Sequence, residues 1–537
     1  MQGHRPLTFL LLCASLAAAG ACTYAPASGP MAARMAPPPP APSPAPGDTA
    51  VFNTEEYRLI EENPFRSVSE SPLSTFAIDV DAASYSNVRR FLLRERRLPP
   101  RDAVRIEELV NYFDYDYPDP TGEHPFSITT EVSAAPWNPA HRLVQVGLQG
   151  RRMERRELPP GNLVFLIDVS GSMDQPDKLP LVKESLRMLV RQLRPVDRVS
   201  IVVYAGAAGL ALPPISGNER GRIMQAIDRL EAGGSTAGGQ GIALAYETAR
   251  RSFIEGGNNR VILATDGDFN VGISSEGELV RLIEEKREHG IFLTVLGFGT
   301  GNLADARMEQ LADHGNGNYA YVDGPAEARK VLVREMGGTL LTIARDVKVQ
   351  VEFNPAQVRA YRLIGYENRV MASEAFNDDR RDGGELGAGH SVTALYEVVP
   401  VGVDTPVPSS DPLRYQEVRP RPRAAPSQEL LTVKLRYKAP DGDASRLIEQ
   451  PVRDTGTELR RTSDDFRFAA AVAQWGMLLR DSRFKGSATW AGAAELAQAS
   501  LGHDEHGYRA EFVRLLAESR ALAERRTADA RRSGGEH

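Results

Sequence analysis

The sequence predicts a doubly wound, Rossmann-like α/β domain inserted into a β-sandwich-like domain, with helical regions at the N- and C-terminal ends. Three observations predict it. Between residues 160 and 342, short apolar runs alternate with helical patterns, as in a mostly parallel sheet covered by helices. Strand-like alternation falls in two stretches flanking that insert, 123–159 and 343–460. Apolar residues at helical spacing dominate before the first stretch and after the second.

The 537 residues suffice for three to four domains at about 150 residues each. With 42% hydrophobic and 25% charged residues the chain is ordinarily globular, and a net charge of -7 excludes a generally basic nucleic-acid binder. Beyond residue 21 no apolar run reaches the roughly 18–20 residues that span a bilayer. The only cysteines, Cys13 and Cys22, sit at the extreme N-terminus, which excludes a disulfide framework and a cysteine-based zinc site.

Taken in order, residues 1–21 read as a signal peptide: His4 and Arg5, the apolar run Leu7–Ala19, then small residues up to Cys22. The segment Ala19-Gly-Ala-Cys22 resembles a bacterial lipobox, although Ala19 stands where Leu is commoner. That resemblance implies that Cys22 becomes the lipidated first residue and anchors the chain to a membrane. Thr23 in place of Asp then implies the periplasmic side of the outer membrane. Ordinary secretion with Cys22 as a spare thiol is the alternative. Residues 22–50 form a linker; the nine prolines in 23–50 favour extended polyproline II over a packed core.

Residues 51–122 form an N-terminal α+β region. Ser74–Asp81 alternates like a strand, and Pro99-Pro100 separates the helical patterns Tyr85–Glu95 and Val104–Phe113. Asp79-Val-Asp81 resembles a dilute metal-binding loop but lacks a second serine, and the two acids read instead as helix N-caps. The discontinuous β-domain is predicted from Phe126–Val132, Leu143–Leu148, Val347–Phe353, Val392–Val399 and Leu430–Tyr437. Within the insert, Leu163–Ile167, Val199–Val203, Val261–Ala264 and Ile291–Leu296 are apolar runs suited to strands buried on both faces. Helical patterns at 179–193, 219–230, 241–253, 277–288, 304–312 and 325–336 accompany them, with a strand at Tyr319–Val322. Residues 461–525 turn helical again, and 526–537 are a charged tail.

Doubly wound sheets bind ligands at the carboxyl ends of their strands. Three segments fall there: Asp168-Val-Ser-Gly-Ser172, Gly233–Gly241 and Thr265-Asp-Gly-Asp268. They gather carboxylates and hydroxyls without His or Cys, an oxygen-only donor set suited to a hard cation, Mg²⁺ foremost, with Mn²⁺ and Ca²⁺ as alternatives. Gly233–Gly241 lacks a following Lys-Ser or Lys-Thr, so it is not a phosphate-cradling P-loop. The nine histidines assemble no Ser-His-Asp set.

Asp168-x-Ser170-x-Ser172, with Thr236 and Asp266, resembles the metal-ion-dependent adhesion site of von Willebrand factor type A domains. Pro72–Tyr85, Phe376-Asn-Asp-Asp379, Gly387-Ala-Gly-His390 and Phe468–Ala471 extend the likeness to the bacterial YfbK-like proteins, over nearly all of 52–520. The resemblance implies metal ligation by Asp168, Ser170, Ser172, Thr236 and Asp266, with one coordination position open to an Asp or Glu carboxylate of a protein partner. It further implies a shift of the last helix, 325–336, about Gly337-Gly338 when the metal changes its ligands. Metal-dependent protein–protein recognition, adhesion-like or scaffolding, is the expected function, without enzymatic activity. Two alternatives stand beside it: a metal-dependent hydrolase or phosphatase using Asp168, and a structural envelope lipoprotein. A nucleophilic-aspartate phosphatase would carry a second Asp at position 170, where this chain has Ser.

Overall fold

A strand buried on both faces needs apolar residues on both, and Gly161–Asp168 and Asn258–Thr265 are buried along their whole length. They lie at the middle of a six-stranded sheet in the computed structural model, which describes residues 54–235, 238–267, 276–335, 341–381, 383–407, 427–440, 442 and 444–533. Across that sheet the order is Tyr319–Val322, Ile291–Phe298, Asn258–Thr265, Gly161–Asp168, Arg198–Tyr204 and Ala208–Ser216. Five strands run parallel; the sixth pairs antiparallel at the edge. That edge strand is not among the strands expected from the sequence; it contains Pro213-Pro214, and an edge position tolerates the missing donors. Helices cover both faces. Leu163, Phe165 and Ile167 meet Leu186 and Leu189 on one side, while Val164 and Leu166 meet Ile242 and Tyr246 on the other.

Two antiparallel sheets form the β-sandwich around this insert. The first orders Arg66–Ser67, Val358–Ile364, Ser391–Pro400, Asn138–Gly150 and Phe126–Ala135. The second orders Val370–Met371, Leu73–Ala77, Thr342–Phe353, Glu429–Lys438 and Ser445–Arg453, with Gly384–Gly387 beside Thr342–Phe353. Val144, Val146 and Tyr396 of one sheet share a core with Val349, Val351 and Val433 of the other. Arg66–Ser67 and Leu73–Ala77, read from the sequence as part of a separate N-terminal region, are strands of these two sheets.

The helices Ala83–Leu93, Ile106–Asn111, Asp464–Arg480, Trp490–Gln498 and Tyr508–Ser533 share one further core. Tyr85, Phe113, Trp475 and Phe512 fill it, and Leu143 and Leu395 join it to the first sandwich sheet. Ser463 caps Asp464–Arg480 by accepting from the Phe466 N–H at 3.0 Å. The last helix continues through 526–533, inside the segment read as a charged tail, where Ala and Arg residues favour helix. Among the described residues no helix is long and apolar enough to cross a membrane. The expected signal peptide and linker, with Cys22, lie outside the described residues, as do Thr236 and Gly337-Gly338.

Candidate metal centre

Chain topology opens a crevice where successive connections leave a strand in opposite directions. From Gly161–Asp168 the chain crosses to Arg198–Tyr204 on one side, and Asn258–Thr265 lies on the other. Asp168 ends the first of these strands and Asp266 directly follows the last.

The Asp168 loop is tightly specified. The Ser170 N–H donates to Asp168 Oδ1 at 2.9 Å, and the hydroxyls of Ser170 and Ser172 are 3.1 Å apart. Met173 is buried and pins the loop to the core. Two backbone bonds tie this loop to the one leading to Thr236: Gly233 N–H to Val169 O at 2.7 Å and Gly171 N–H to Gly234 O at 3.0 Å. Asp168 and Asp266 are fully buried, Ser170 nearly so, and Ser172 is exposed, so the set grades from a charged floor to a hydroxyl rim. Four of the five ligands expected from the sequence therefore stand at one crevice, and the fifth, Thr236, is outside the described residues.

The two carboxylates differ in electrostatics. Burial, reinforced by the nearby charge of Asp266, pushes Asp168 up to about 6 against the pull of its Ser170 hydrogen bonds. Burial also acts to raise Asp266, but Lys178, Asn302 and Ser172 outweigh it and hold its carboxyl below the usual range. Lys178, which immediately precedes helix Leu179–Val190, is not among the residues expected at this site from the sequence. The donor set fits a hard divalent cation, since every group it offers is a carboxylate or hydroxyl oxygen and the buried Asp168 carboxylate is stabilised by added positive charge.

Tertiary structure brings Glu108 and Glu309 to Asp79 in a second group of acids. Asp79, Glu108 and Glu309 each bring a carboxylate oxygen within 4.8 Å of the others. Arginines thread them: Arg105 Nη1 is 2.8 Å from Glu108 and Nη2 is 3.0 Å from Glu309, while Arg369 Nη2 is 3.0 Å from Asp79 and 2.8 Å from Asp313. Contrary to the N-capping expected of them, neither Asp79 nor Asp81 caps helix Ala83–Leu93. Asp79 accepts from the Asp81 N–H and Asp81 from the Tyr319 N–H, each at 2.9 Å, whereas Glu108 takes the Ser84 N–H in the first turn of the helix at 2.7 Å. Glu108, 24 residues on in the chain, satisfies that donor instead.

This architecture and crevice define a von Willebrand factor type A domain protein, and the family model of that description matches residues 162–332. A model described as "von Willebrand factor" matches 51–145, and one described as "Uncharacterized protein YfbK, C-terminal" matches 338–522. The chain belongs to the YfbK family: it is 46% identical over 470 residues to "Uncharacterized protein YfbK" of Escherichia coli (strain K12), covering 86% of this chain and 80% of that one. Among solved structures, "von Willebrand factor type A from Catenulispora acidiphila" is 18% identical with a TM-score of 0.39, covering 72% of this chain and 89% of that one. The ArnB paralog VWA2 from Sulfolobus acidocaldarius is 15% identical with a TM-score of 0.35, covering 74% and 98%. Type A domains are in general protein-interaction modules, and they commonly bind a divalent cation.

Proposed function

We propose that this protein is a lipid-anchored component of the cell envelope whose type A domain captures a protein partner through a divalent ion. Asp168, Ser170, Ser172, Thr236 and Asp266 would hold the ion, Mg²⁺ foremost. A bound ion supplies an electrophilic coordination position for an Asp or Glu carboxylate of the partner. The single observation that carries this reading is the convergence of Asp168, Ser170, Ser172 and Asp266 at the strand switch point with an oxygen-only donor set. The chain's own residues do the positioning. The Ser170 N–H orients the Asp168 carboxylate, and the buried floor keeps water from competing for it. The exposed Ser172 rim leaves the approach open to a side chain from another protein.

The anchoring half of the proposal rests on Cys22 and the 22–50 linker, which would hold the folded part away from the membrane, on the periplasmic side of the outer membrane. Crosslinking pull-down from membranes tests the whole reading, comparing the unaltered protein with Asp168→Ala and Thr236→Ala, with and without chelator. Capture of the same partner by all three proteins, regardless of chelator, would reject it.

A further inference from the structure

We propose that Lys178 is a built-in counter-ion of the candidate metal centre, holding Asp266 in place and weakening the centre's affinity for a divalent ion. The inference rests on the reading of Asp168, Ser170, Ser172 and Asp266 as metal ligands. Lys178 Nζ donates to Asp266 Oδ2 at 2.8 Å and to Asn302 Oδ1 at 3.1 Å. The Lys178 side chain is 4% exposed and that of Asp266 0%, so the pair is a buried one and not a chance surface contact. An ammonium is costly to bury without a charged partner, and Asp266 meets that need.

The path of the lysine is specified as well. Its stem crosses Gly299, whose φ is +77°, and a Cβ at that position would lie 2.5 Å from Lys178 Cε. Tyr321 fixes the turn by donating its hydroxyl to Gly299 O at 2.7 Å. Two consequences follow from charge. The ammonium offsets the repulsion between the Asp168 and Asp266 carboxylates, so the crevice stays assembled without an ion. The same positive charge shares Asp266 with any divalent ion and repels it, so the set binds more weakly than its oxygens alone would.

Mn²⁺ titration of the full chain, following free Mn²⁺ by electron paramagnetic resonance, tests this on Lys178→Met, Lys178→Gln and Lys178→Arg. The Met and Gln variants are expected to bind Mn²⁺ at least about tenfold more tightly than the unaltered protein and to melt at lower temperature in chelator. The Arg variant is expected to keep the original affinity. Lys178→Gln retains an N–H donor toward Asp266. Melting across a series of Mn²⁺ concentrations gives the same comparison for a variant that is unstable without metal. If the unaltered protein binds Mn²⁺ and neither neutral variant binds more tightly, the inference is overturned while the metal-centre reading stands. If only the neutral variants bind, the inference is supported. If none binds, the metal-centre reading falls and the inference with it.

Discussion

Arg89 Nη2 lies 2.7 Å from Glu327 Oε2, joining helix Ala83–Leu93 to helix Pro325–Arg329, the one that follows the last strand of the type A sheet. The same guanidinium donates through Nε to Asp323 Oδ2 at 2.8 Å and through Nη1 to the Tyr112 hydroxyl at 3.0 Å. Arg89→Ala would leave buried Asp323 without its guanidinium and Glu327 with only the nearby charge of Lys330. A loss of about 3–5 kcal/mol is expected, read as a lower denaturation midpoint. Arg89→Lys should recover only part of it, because an ammonium lacks the planar fork that serves several acceptors.

That junction bears on the helix shift implied by the family resemblance. If the candidate centre communicates with the segment after Val322, chelation and metal addition should alter protease cleavage between residues 325 and 345. In Arg89→Ala, with the Glu327 tie removed, cleavage there should be faster in both conditions. An unchanged pattern in the unaltered protein would show that metal and helix are uncoupled.

Glu107 gives a pH dependence. Burial, with the charge of Glu367 adding to it, raises its carboxyl to about 7 from an ordinary value of 4.5. An acid that holds its proton more tightly when folded lowers stability as it ionises. The loss therefore develops between about pH 4.5 and 7 and is complete above that. Glu107→Gln, which cannot ionise, should raise stability at pH 8 by roughly 1–3 kcal/mol and change little at pH 4.5. Thermal melting at the two pH values checks this, and equal effects at both would contradict it.

Gly299 should tolerate no side chain. Its φ of +77° disfavours any L-residue, and an added Cβ would strike the Lys178 stem. Gly299→Ala is expected to cost about 1–3 kcal/mol. In a double-mutant cycle with Lys178→Ala the two losses should be less than additive, since removing the lysine stem removes the collision.

The type A sheet was legible in the sequence because its central strands are buried on both faces. Leu163–Ile167, Val199–Val203, Val261–Ala264 and Ile291–Leu296 each fall inside a parallel strand. Asp168, Ser170 and Ser172 were legible for a related reason: a polar motif that directly follows an uninterrupted apolar run marks a strand's carboxyl end. Other features depend on partners distant in the chain. Thr75 pairs with Gln350 across 275 positions, and Arg89 meets Asp323 across 234. Nothing local to either residue announces such pairings. Lys178 was hidden likewise, because its burial is decided by Asn302 and Gly299, both more than 100 positions away.

Calorimetric titration of Mg²⁺ or Mn²⁺ into the unaltered chain and into Asp168→Ala tests the central claim most directly. One divalent ion bound per unaltered chain is expected, and none in Asp168→Ala at the same concentrations. No uptake by the unaltered chain, or equal uptake by both, would contradict it.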